Sequence, residues 1–259
     1  MTDDEKQQLA RIERELSPDS PHHLGRRAFM GTAAAVAATA ATLAPSVAHA
    51  AKNLAAAPPA GFSPFNAPGK VVKVSKADTL QNNKLYPKPE AAKEMLTKAL
   101  TELTGKPDLV TSVKEFVHKD DIVVVKVNGI AQSQMSTNKE LVLPFLEAMI
   151  EGGVKAENIT VLEQYPGFFN ATRITAANVP PGVKIASHAN GNATMDERLI
   201  PGTGTKTKFV RWLTEATAAI NFALIKDHSI CGYTGALKNM THGCSINPHD
   251  FHVHHASPQ

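Results

Sequence analysis

Apolar residues in this chain fall into two kinds of run. Short unbroken ones, DIVVVKVN at 121–128, NITVLE at 158–163 and INFALIK at 220–226, have the β-branched continuity expected of strands covered on both faces of a parallel sheet. Between them the apolar positions recur at helical spacing. In residues 89–103, PEAAKEMLTKALTEL, the residues Ala92, Met95, Leu96, Ala99, Leu100 and Leu103 share one face, and Gly105 and Pro107 close the segment. Thr137-Asn-Lys-Glu140 fits a capping box opening a second helix, LVLPFLEAMIEGG, stopped at Gly152-Gly153 and with a kink expected at Pro144. Residues 70–75 (KVVKVS) read as a first strand. Residues 168–177 read as helix, 183–187 as extended, 209–213 as strand and 214–219 as helix. Strands alternating with helices predict an α/β fold, a largely parallel sheet with helices on both faces, in a single domain over residues 69–259.

Two of the predicted strands end alike. VVVKVNG puts Lys126 and Asn128 at its carboxyl end, and ALIKDHS puts Lys226 and His228 at its own. Side chains two apart on a strand share a face. Open α/β sheets bind ligands in the crevice beyond the carboxyl ends of their strands. A lysine buried there needs a counter-charge, which a bound anion would supply; the plain alternative is that the lysines reach past the strand ends to water. Gly232-Tyr-Thr-Gly235 runs into a predicted helix bearing Lys238, Asn239 and His242, with Lys238 and His242 four apart on one face. Thr137 and Asn138, at another helix start just after a strand, are candidates for the same crevice. The resulting ligand-binding set is Lys126, Asn128, Thr137, Asn138, Lys238 and Asn239, with Lys226, His228 and His242 as candidate catalytic groups. The P-loop spacing is absent, so nucleotide binding finds no support.

Residues 226–259 hold both cysteines and six of the eleven histidines. His242, Cys244, His249, His252 and His254 are candidate ligands for zinc, copper or nickel. No zinc-finger, HExxH or iron–sulfur pattern is present, and two cysteines are too few for an iron–sulfur cluster. A Cys231–Cys244 disulfide, buried thiols and a solvated histidine tail are competing readings of the same residues.

The amino-terminal region differs in kind. Arg26-Arg27-Ala-Phe29 precedes an alanine-rich run that ends in Ala48-His-Ala50. A paired arginine, a weakly apolar stretch and a small-x-small site predict a twin-arginine signal peptide over residues 1–50, cleaved after Ala50. Alanine and threonine are too weakly apolar for a membrane anchor, and Pro45 interrupts the run. Stable membrane insertion after cleavage is therefore not expected. The twin-arginine translocase is the expected partner, and the periplasm or the outside of the cell the expected location. Residues 51–68, rich in Ala and Pro, read as a linker. Beyond residue 50 the formal net charge is +4, from 22 Lys/Arg and 18 Asp/Glu. That charge is too mild and dispersed for nucleic-acid binding.

VVVKVNG, STNKELV, the stretch RWLTEATAAINFALIKDHSICGYTGALKNMTHG and NPHDFHVHH, together with the leader, resemble the exported branch of the domain-of-unknown-function 362 family. The resemblance implies an α/β domain and supplies no reaction. It also implies a chain that continues beyond the NPHDFH block, so a fragment with the carboxyl-terminal side of its sheet incomplete is expected here. Two functional classes follow: an exported enzyme acting on a small anionic substrate at a Lys/His site, with or without a metal, and a non-catalytic protein that binds a metal ion or an anion.

Overall fold

A computed structural model describes residues 56–188, 198–199, 206–228 and 232–248. The chain divides between Asn53 and Leu54, and the unit that begins at Leu54 is the one described. Its centre is a sheet of four parallel strands: β1 (Val123–Lys126), β2 (Ile159–Glu163), β3 (Lys184–Ser187) and β6 (Ala218–Asn221), in the spatial order β3-β2-β1-β6. Two-residue strands β4 (Arg198–Leu199) and β5 (Lys206–Thr207) form a separate antiparallel pair. The register sets Lys126 opposite Leu162 on one side and opposite Asn221 on the other.

Strand alternation separates two apolar faces. Val123, Val125, Val127, Ile159 and Val161 pack with Leu109, Val113, Phe145 and Met149. Leu109 and Val113 come from helix α2 (Leu109–Val113) and Phe145 and Met149 from α3 (Lys139–Glu151), and Leu96 and Leu100 of α1 (Pro89–Thr104) pack against them. Val124, Leu162 and Ala186 face the other way, against Val210, Ala216 and Cys244 and the partly buried Trp212 and Leu213. Helices α4 (Pro166–Thr172), α5 (Arg211–Thr214) and α6 (Ala236–Met240) are short, and a 3-10 turn at His242–Cys244 follows the last of them. The valines of β1 are 0–1% exposed, and each such side chain contributes roughly 1.5–3 kcal/mol by leaving water. The α/β class with a parallel sheet is thus the observed one.

Several local expectations are corrected. Residues 70–75 form no strand: Val71 is 86% exposed, and among the described residues the segment pairs with no strand. Residues 56–68, expected to be a linker, lie against the domain. Phe65 donates its N–H to the Glu115 carbonyl at 2.7 Å, and its ring meets Phe116 edge-on. The capping box is not made, because Asn138 caps α3 by position without a side-chain bond and Thr137 and Glu140 are used elsewhere. α3 runs through Pro144 without a break. Helix α5 and strand β6 begin earlier than expected, so Lys226 lies beyond the strand rather than at its end.

The order β3-β2-β1-β6 creates a reversal at β1. The chain leaves β1 through α3 to reach β2 on one side, and returns after β3 to β6 on the other. At such a switch point the connections diverge and leave a crevice above the carboxyl ends of the strands. Among the described residues, no helix is long and apolar enough to cross a membrane.

Candidate functional site

The crevice at that point is a cleft of about 520 Å³, within the range of small-molecule sites. Its wall includes Lys126, Asn128, Glu163, Lys226, His228, Lys238, Asn239 and His242, with Ile130, Met135 and Tyr165 as an apolar lip. Nine candidate ligand-binding or catalytic residues were read from the sequence, and seven of them meet here.

Lys126 is the deepest, with its side chain 1% exposed. Its ammonium is neutralised by Glu163, which follows the last register partner of β1 on β2. The same Nζ donates to the Val127 carbonyl at 2.5 Å and to Asn239 Oδ1 at 3.2 Å, giving it three acceptors. A bound anion is therefore not needed as the Lys126 counter-charge, which corrects the expectation drawn from strand ends alone. Glu163 Oε1 also accepts the Gly129 N–H at 3.2 Å. Gly129 has to be a glycine because a Cβ there would lie 2.0 Å from the Phe168 carbonyl oxygen. Gly243 also lets its turn close over Lys126, since a Cβ would come within 3.1 Å of Cε.

Asn239 is the hub of a side-chain network. Its Oδ1 accepts from Lys126 and, at 3.1 Å, from Asn128 Nδ2, while its own Nδ2 donates to Asn221 Oδ1 at 2.8 Å. Asn128 Oδ1 then accepts from Lys226 Nζ at 2.8 Å. The polar chain runs from the buried carboxylate to the cleft in the order Glu163, Lys126, Asn239, Asn128, Lys226. Lys226 is held there by its backbone, which exchanges N–H···O bonds of 3.0 and 2.9 Å with Thr234. Burial lowers the Lys226 pKa below the ordinary lysine value. The carboxylate of Glu163 opposes this shift, and the charges of Lys238 and Lys126 reinforce it. The Lys238 ammonium, which also lines the cleft, contacts His228 Nε2. His242 is 5% exposed, with Nδ1 3.2 Å from Thr241 Oγ1.

Two candidates do not join the cleft. Thr137 Oγ1 donates to the Phe222 carbonyl at 2.7 Å and accepts the Asn128 N–H at 2.9 Å, so it ties the start of α3 to the segment after β6. Asn138 Oδ1 accepts from Arg173 Nη2 at 3.0 Å. That guanidinium also forks onto Glu140 with two bonds of 2.6 Å and lies 3.6 Å over the Tyr86 ring. Both side chains serve the scaffold.

Cys244 also departs from its proposed role. It is a free thiol, fully buried in the second apolar cluster, and burial pushes its pKa up to about 11. A thiol held protonated in an apolar pocket is a poor metal ligand. His249, His252, His254 and Cys231, like Arg26, Arg27 and Ala50, lie outside the described residues. Among the described residues, no group of three His, Cys, Asp or Glu side chains is placed to hold a metal ion.

Sequence reasoning missed Glu163, Asn221 and His188. Glu163 had a usable signal, a carboxylate at the carboxyl end of an otherwise apolar strand. His188 follows β3, where burial and the nearby Lys126 charge lower its pKa to about 4. The backbone of Gly243 and Ser245, beside the ring, opposes that shift.

Fold and site together define a parallel α/β domain with a lysine-lined cleft at its topological switch point. Residues 123–259 match the domain of unknown function family DUF362, and the chain belongs to that family. No curated protein and no solved structure matches it.

Proposed function

We propose that this chain is an exported protein that binds a small anionic molecule in the cleft and acts on it as an enzyme. The observation that carries the reading is the meeting of Lys126, Lys226 and Lys238 on one wall. The wall's carboxylates are Glu163 and Asp227, and Glu163 is committed to Lys126. Positive charge in excess of carboxylate, in a concave and partly apolar site, favours an anion there. Lys226 and Lys238 hold the anion, while His228 and His242 are placed on the same wall to move protons. The paired arginines of the leader carry the export half of the reading.

Differential scanning fluorimetry with phosphate and with short mono- and dicarboxylates tests the binding half. The expected result is saturable stabilisation by at least one anion, weakened about 10–100-fold by Lys226→Ala and by Lys238→Ala, as for loss of a hydrogen bond to a charged group of ~1.5–3 kcal/mol. Indifference to both substitutions refutes the site. Binding that survives His228→Asn and His242→Asn in a protein that turns over none of its ligands instead favours the non-catalytic binder.

A further inference from the structure

The three cleft lysines are chemically unequal, and the difference singles out one of them. The Lys126 ammonium is ion-paired to Glu163, bonded to two further oxygens, and 1% exposed. Its bonds are taken and it is sterically closed to a ligand. Lys238 contacts His228. Lys226 Nζ is half-buried at the cleft wall, and its hydrogen bond among the described residues goes to the neutral amide oxygen of Asn128 at 2.8 Å. An amide oxygen aims an amine without supplying the full charge that would fix it as ammonium. The two-bond backbone bridge to Thr234 holds the same residue in place from below.

We propose that Lys226 is a nucleophilic amine that condenses with the carbonyl carbon of a small oxo acid, whose carboxylate is held by the Lys238 side of the cleft. This rests on the anion-binding reading and goes beyond it by naming the substrate class and the reacting atom. A lysine becomes a nucleophile when burial or neighbouring cations favour its neutral form, and both act on Lys226. Burial is the larger influence, and Lys238 and Lys126 add to it against the opposing Glu163 charge.

The step balances without an oxidant or reductant. The amine lone pair of Lys226 forms a C–N bond to the carbonyl carbon. The carbonyl oxygen takes one proton from a histidine acid, and the nitrogen gives one up, leaving a carbinolamine. A second protonation of that oxygen expels it as water, and the C=N bond forms. The net change is one carbonyl and one primary amine converted to one imine and one water. His228 and His242 are on the cleft wall to carry these protons. The protonated imine restores the positive charge that the neutral amine lacked, in a site built around the Lys226–Asn128 contact. It also draws electrons from the adjacent carbon, so the chemistry supported is proton exchange or carbon–carbon cleavage at that position.

The test is reductive trapping on the full folded chain, run beside a binding measurement. Pyruvate and 2-oxoglutarate are paired with lactate and 2-hydroxyglutarate, which keep the carboxylates and lack the carbonyl. The expected result is thermal stabilisation by an oxo acid and by its hydroxy partner. After borohydride treatment only the oxo acid leaves a covalent adduct, mapped by peptide mass to Lys226 and lost in Lys226→Arg. Circular dichroism confirms that the variant is folded. Stabilisation by both members of a pair with no adduct, or an adduct confined to other lysines, overturns the nucleophile and leaves the anion site standing. Stabilisation by none of the four acids, and by no other small anion, removes the anion site and the nucleophile together.

Discussion

Replacing Glu163 by Gln removes one charge from the ion pair at the base of the cleft while keeping the side-chain volume. The two partners are 1% and 2% exposed, and breaking a pair so buried by removing one charge costs about 3–5 kcal/mol, because the remaining charge stays out of water without its partner. The structure argues for the lower end. After the change Lys126 keeps the Val127 carbonyl at 2.5 Å and Asn239 Oδ1 at 3.2 Å, and the Gly129 N–H can still be met by the amide oxygen. About 3 kcal/mol is a large share of the ~5–15 kcal/mol that holds a domain folded. For a domain of this size it corresponds to a fall of roughly 6–12 °C in Tm. Lys126→Met strands the carboxylate instead, with the Gly129 N–H as its remaining partner in the site, and should cost more. The double variant leaves no charge at the base of the cleft, so its loss should fall short of the sum of the two single losses by about 3 kcal/mol. Urea unfolding followed by circular dichroism and by the fluorescence of Trp212, the chain's single tryptophan, measures all four proteins. A coupling within about 0.5 kcal/mol of zero would refute the claim that this pair organises the cleft floor.

Three further outcomes follow from particular residues. His188 has a folded-state pKa of about 4 against an ordinary 6.5. Between those values the unfolded chain binds more protons, so stability rises with pH and is lost as pH falls from about 6.5 towards 4. With allowance for partial solvent screening, the loss is about 1–2 kcal/mol. His188→Gln should flatten that slope between pH 7 and 5 in urea titrations, and an unchanged slope would count against a neutral buried imidazole. Gly129→Ala drives a methyl group to within 2.0 Å of the Phe168 carbonyl oxygen, so about 1–3 kcal/mol of destabilisation is expected from overpacking; a neutral effect would mean that this loop yields easily. Arg26→Lys combined with Arg27→Lys should abolish export of a chain tagged at its carboxyl end, and undiminished periplasmic accumulation would end the signal-peptide reading.

Where the sequence was readable, the signal was local. β1, α1 and α3 rest on dense β-branched runs or helical periodicity within a dozen residues, and their positions come out within a few residues. Residues 70–75 show why β-branched composition alone is insufficient. KVVKVS is rich in valine, but a strand needs a partner edge, and among the described residues this segment has none. The capping box at Thr137 failed through competition. Thr137 Oγ1 bonds the Phe222 carbonyl, and Glu140 takes the Arg173 fork, with its pKa held low by Arg173 despite the burial that would raise it. Both partners are distant in sequence, so a four-residue window gives no sign of them.

The register of β6 is the most instructive displacement, because it bears on the site. The apolar run INFALIK does not say which four residues pair, and Ile225 within it is 81% exposed. The register is fixed instead by contacts with residues about 95 positions away. Ile122 donates its N–H to Thr217 Oγ1 at 2.9 Å, and Thr217 Oγ1 donates to the buried Asp121 carboxylate at 2.5 Å. With β6 anchored there, the strand is spent by Asn221, which faces Lys126 across the ladder and hands its side chain to Asn239. Lys226 then reaches the cleft by a fold-back onto Thr234, not by the two-residue rule of a strand face. That route has a chemical consequence. A lysine aligned with Lys126 on neighbouring strands would compete for Glu163, and one of the two ammonium groups would be left uncompensated in the interior. Carried out on a turn and bonded to Asn128, Lys226 stays at the solvent end of the network. There its charge can be tuned by what enters the cleft, while the Glu163 carboxylate stays ion-paired to Lys126.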